Sequence, residues 1–71
     1  MVFNWLKAIR DWAGIHSKDI PQAKYKIGGT VFNSLDEEVE IIGVNISEDG
    51  KIEYALDGYT YLHYEEELEK K

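Results

Sequence analysis

Two histidines and three runs of carboxylates are the side chains best able to move a proton or hold a cation in this chain of 71 residues. The histidines are His16 and His63; the acids fall at Asp36-Glu37-Glu38, Glu48-Asp49 and Glu65-Glu66-Glu67. Nucleophilic catalysis needs a base oriented beside a Ser or Cys, and no Cys nucleophile or acid-His-Ser constellation accompanies either ring. There is no cysteine at all, so the ligand set of a structural zinc site is missing. The acid runs do not have calcium-loop spacing, and neighbours in an extended chain point to opposite faces. The expectation is a protein that is not an enzyme, with no catalytic residue, no metal and no cofactor, whose acids form a solvated surface.

Binding chemistry is better represented. The stretch YTYLHY, residues 59 to 64, packs three tyrosines and a histidine into six positions. Strand alternation puts Thr60, Leu62 and Tyr64 on one face and Tyr59, Tyr61 and His63 on the other. Leu62 assigns the first set to the interior, leaving Tyr59, Tyr61 and His63 as an outward stripe of rings. Two uses compete for it. It is either the seat on which an N-terminal helix buries Trp5 and Trp12, the favoured reading, or a surface that grips a protein partner through rings with polar tips. A methyl-lysine cage is a narrower form of the second.

The elements that must position these groups follow from periodicity. Residues 2–14 read as an amphipathic helix, because Val2, Trp5, Leu6, Ile9, Trp12 and Ala13 fall within an arc of about 120°. Gly14 reads as its stop. Residues 15–23 read as a linker, with Pro21 preventing continuation. From Lys24 the period becomes two. KYKIGGTVFNS reads as a strand with Gly28-Gly29 as bend residues, and EVEIIGVNIS as a second strand. In that second strand the apolar parity slips between Ile41 and Ile42, which predicts a bulge or sharp bend near Gly43. KIEYALD reads as a third strand, Asp57-Gly58 as a two-residue hairpin and YTYLHY as the fourth strand. EEELEKK closes as a helical turn or last strand pinned by Leu68. The whole is one domain, 1–71, mainly β: four to five antiparallel strands, bent into a small barrel, with an N-terminal amphipathic helix.

YKIGGTV, VEIIGVNI with DGKIEYALDG, and YLHYEEEL resemble the opening strand, the central bent strand with its hairpin, and the closing strand of small SH3-like β-barrels, over residues 24–68. The resemblance implies a binding module of the kind found in uncharacterised phage, prophage and bacterial proteins. Gly29 stands where such barrels usually carry Asp, and Glu40 where the KOW subgroup carries glycine, so nucleic-acid binding of the KOW type is not carried over.

Charge narrows the partner. The net charge is −6. Residues 1–34 hold five basic and two acidic residues, net +3, whereas residues 35–71 hold three basic and twelve acidic residues, net −9. An acidic half repels phosphate, which disfavours direct nucleic-acid contact there. The expected function is therefore a protein-interaction module with Tyr59, Tyr61, His63, Trp5 and Trp12 as contact residues and Glu65, Glu66 and Glu67 as an electrostatic rim. The alternative is an acidic nucleic-acid mimic that blocks a DNA- or RNA-binding protein. Absence of cysteine favours a reducing cytoplasm. No run approaches the roughly 18 apolar residues of a membrane span, and the helix offers only Lys7 and Arg10 to a lipid surface, so packing of the helix on the barrel, or against a second copy, is favoured over membrane binding.

Overall fold

A computed structural model describes residues 5–70 of the chain, with side chains from residue 7 onward. The elements are helix α1 (Trp5–Ile15), strands β1 (Thr30–Phe32), β2 (Glu38–Ile46), β3 (Ile52–Leu56) and β4 (Leu62–Tyr64), and a 3-10 turn, Glu65–Glu67. The strands form one antiparallel sheet in the order β1-β2-β3-β4. The fold is thus small and mainly β, one helix on a four-stranded sheet. The sheet is open: β1 and β4 do not pair, and the expected closed barrel is not formed. The stretch after the 3-10 turn does return to β1, where Phe32 and Glu69 exchange two backbone hydrogen bonds of 2.7 and 2.9 Å.

Strand β2 bends where its apolar parity slips. The β2–β3 register shifts between Ile41 and Gly43, as the sequence predicts. The extra residue lets Val39, Ile41 and Val44 all enter the main core while Ile42 turns to the opposite face. That main core holds Tyr25, Val31, Val39, Ile41, Val44, Tyr54, Leu56 and Leu68, and the stretch containing Ile20, Ala23 and Ile27 lies over it. What reads as linker in the sequence therefore supplies part of the core roof.

Helix α1 covers the other face. Ile9, Ala13 and the half-buried Trp12 pack on Ile42, Ala55 and Leu62. A Cβ placed on Gly43 would stand 2.9 Å from Ala13 Cα and 3.1 Å from the Trp12 ring, so the missing side chain is what lets the helix lie this close. The helix end is tied down by the Val44 N–H, which donates to the His16 carbonyl at 3.0 Å. The helix runs one residue past Gly14, to Ile15. Val2 and the side chains of Trp5 and Leu6 lie outside the described residues, so the expected seat for Trp5 does too.

Two further expectations change. The hairpin at Asp57-Gly58 is longer than two residues: β3 ends at Leu56 and β4 begins at Leu62. Gly58 does take the positive φ, 87°, that the turn signal implies. Likewise the first strand is confined to Thr30–Phe32, although residues 28–29 extend its pairing through Gly28 N–H to Ile41 O at 2.8 Å and Ile41 N–H to Gly29 O at 2.9 Å.

Candidate functional site

The tyrosine stretch is part loop and part strand, and its two faces are exchanged relative to the expectation. Tyr59 and Tyr61 lie in the β3–β4 connection, and only Leu62–Tyr64 is strand. His63 sits across from Tyr54 and Leu62 across from Ala55. Leu62 therefore faces α1, and His63 faces the side that holds Tyr54. His63 is 5% exposed, so it is no outward ring. Tyr64, assigned to the interior by alternation, is 40% exposed. The helix does not sit on the aromatic stripe; it occupies the opposite face. Alternation holds over Leu62–Tyr64; what fails is taking Leu62 to mark the interior, because α1 buries Leu62 on one face of the sheet while the main core lies on the face of Tyr54 and His63.

The three expected rings nevertheless come together. Tyr59 meets Tyr61 edge-on at 5.8 Å between centroids and His63 edge-on at 5.2 Å, while Tyr61 lies over His63 at 4.6 Å with a 32° tilt. Edge-to-face and tilted pairs at such distances are attractive beyond their buried area. Tyr61 remains 58% exposed. It is an open ring resting on two held ones.

Tyr59 is held by a network that the sequence reading did not single out. Asn33, buried at the end of β1, accepts the N–H groups of Leu35 at 3.0 Å and Glu37 at 2.9 Å through Oδ1. Its Nδ2 donates to Glu37 Oε1 at 3.0 Å and to the Tyr59 hydroxyl at 2.7 Å. The Tyr59 hydroxyl donates in turn to Glu37. These bonds from Tyr59 and then Asn33 hold the Glu37 carboxyl below its ordinary range, and the same carboxylate raises the Tyr59 phenol. The available signal was an Asn at the head of a polar turn, whose side chain can bond the backbone two residues on.

The acidic rim divides. Glu65 is half-buried and structural: its Oε2 accepts the Tyr54 hydroxyl at 2.6 Å and the Lys24 N–H at 2.8 Å. Burial first, and then this carboxylate, push the Tyr54 phenol far above its usual range. Glu66 and Glu67 are exposed. Glu65 and Glu66 border a groove of about 430 Å³ whose other walls include Lys51, Ile52 and Tyr64, and Lys51 Nζ lies 5.1 Å from the Tyr64 ring centre. Trp12 is used in packing α1, with its ring 4.3 Å from His16.

His16 follows the last residue of α1, and His63 lies in β4. Among the described residues no group of three or more His, Cys, Asp or Glu could hold a metal ion, and no helix is long and apolar enough to cross a membrane. No family model, curated protein or solved structure matches the chain.

Proposed function

We propose that this chain is a non-enzymatic protein-interaction module that binds a protein partner through the ring cluster at the β3–β4 connection. The observation that carries the reading is Tyr61, more than half exposed yet stacked on His63 and flanked edge-on by Tyr59. An aromatic ring already fixed in place loses little conformational freedom on binding, so its apolar area contributes more to affinity.

The architecture is read as an open variant of the SH3-like module. Four features support that reading: the meander order of the strands, the bulged β2, the 3-10 turn after β4, and the return of Glu69 to Phe32. A role as a phage or prophage accessory protein in the cytoplasm belongs to the same proposal; the phage or prophage part rests on the sequence resemblance and the compartment on the absence of cysteine.

The test compares partner capture by the parent chain, by Tyr61→Ala and by a charge-reversed variant, Glu66→Lys with Glu67→Lys. Tyr61→Ala should lose capture while keeping the parent fold, and capture by the parent should survive high salt. Capture that collapses with salt and with the charge reversal, but persists in Tyr61→Ala, would replace this reading with acidic mimicry of nucleic acid.

A further inference from the structure

Three lysines meet at one pocket on a protein whose net charge is −6. Tyr25 turns into the core, and its neighbours Lys24 and Lys26 stay exposed on either side of it. Lys70 reaches the same place from the far end of the chain, because the adjacent Glu69 backbone is bonded to Phe32 of β1. Together the three lysines line a pocket of about 390 Å³, with Gly29 and Thr30 on its wall and no acidic residue among its lining groups. The neighbouring groove is different: there Lys24 and Lys51 are balanced by Glu65 and Glu66.

Among the described residues none of the three ammonium groups is paired with a carboxylate, and Lys24 Nζ instead lies 5.5 Å from the Tyr25 ring centre. Of the twelve acids in residues 35–71 none lines the pocket; Glu65 meets the Lys24 backbone N–H from the adjoining groove and Glu40 of β2 stands across from Thr30. Like charges gathered in a concavity repel one another, and an anion entering between them relieves that repulsion.

We propose that this pocket is a binding site for a small ligand bearing a diphosphate or a similarly dense phosphate charge. Ammonium groups are point charges with three donors each and surround a tetrahedral oxyanion from several directions. A planar carboxylate is matched better by a guanidinium fork, and the pocket contains no arginine. Thr30, a residue of the wall, carries a neutral hydroxyl. A ligand that concentrates several negative charges in one group interacts with all three lysines at once, which a singly charged group cannot do as strongly. The volume falls in the range of small-molecule sites, roughly 300 to 1,000 Å³. Tyr61 is no part of this pocket, so the proposal stands apart from the partner surface.

Titration of the isotope-labelled full chain with pyrophosphate, at constant ionic strength set by sodium chloride, tests the site. The expected result is saturable shifts centred on the amides of Gly29, Thr30 and Val31. The triple variant Lys24→Gln, Lys26→Gln, Lys70→Gln should bind about 10-fold or more weakly, from the loss of charge-assisted bonds. The single variant Lys26→Gln, measured alongside, should already weaken binding and does not depend on the triple variant keeping its fold. Absence of saturable shifts in the parent, or shifts that persist unchanged in the single variant and in a folded triple variant, would overturn the site. Citrate binding as tightly as pyrophosphate at the same amides would overturn the phosphate assignment.

Discussion

His63 carries an imidazole in a place that disfavours its charge. Tyr59 and Tyr61 face it as rings, Tyr54 is its cross-strand partner, and its Nδ1 is buried with no hydrogen-bond partner. Burial lowers its pKa from the ordinary 6.5, and the Glu67 charge and the Tyr61 backbone oppose that shift without cancelling it. The unfolded chain therefore binds a proton more readily than the folded one. The stabilising contribution of the neutral ring is complete above the ordinary pKa of 6.5 and is lost as pH falls from there through the lower folded value. Urea denaturation from about pH 7.5 to about pH 5 should show stability falling on the acid side, and the fall should be shallower in His63→Phe. An imidazole titrating at or above 6.5 in the folded protein would contradict this. Glu37 acts in a separate window. Its carboxyl is held low by Tyr59 and Asn33, so its contribution is present above the ordinary 4.5 and disappears only below it.

Helix α1 and strand β2 meet through an absence. The bulge at Ile41–Gly43 turns Ile42 toward the helix and brings the Gly43 backbone against Ala13 and Trp12. A methyl group at Gly43 has no room, since the nearest atom is helix backbone and cannot rotate away. Gly43→Ala should cost about 1 to 3 kcal/mol through overpacking. Its signature should be a changed Trp12 fluorescence with the strands retained. Unchanged stability and fluorescence would mean that the helix is free to shift. The same close approach explains why Ile9, Trp12 and Ala13 need no aromatic seat: small residues, Ala55 and Gly43, make the hollow they fill.

At the level of the whole molecule, the two ends of the sheet depend on a few buried anchors. Leu68 is 4% exposed in the main core, and the Tyr25 hydroxyl donates to its carbonyl at 3.0 Å. It holds the C-terminal stretch where Glu69 can bond Phe32. A domain of this size has a net stability of roughly 4 to 10 kcal/mol, and truncating a buried leucine removes about 2 to 5 kcal/mol. Leu68→Ala should therefore leave a large unfolded fraction in thermal or urea titration. A melting curve close to that of the parent would show that the C-terminal return is dispensable.

Periodicity and turn chemistry determined the element types: an amphipathic helix, antiparallel strands, a bulge where apolar parity slips, a turn at Gly58 and an anchor at Leu68. These are local matters, because a 3.6-residue or two-residue repeat and a positive φ are properties of neighbouring residues. Which face of the sheet each side chain joins was decided by tertiary structure. Alternation with Leu62 taken as the inward residue placed His63 outside and Tyr64 inside, and the chain reversed both because α1 packs on the Leu62 face while the main core lies on the other. The meeting of Asn33 with Tyr59, and of Lys24 and Lys26 with Lys70, spans long sequence separations and leaves no periodic trace. Such contacts arise when burial of apolar surface folds distant segments onto one core, and that depends on the whole chain at once.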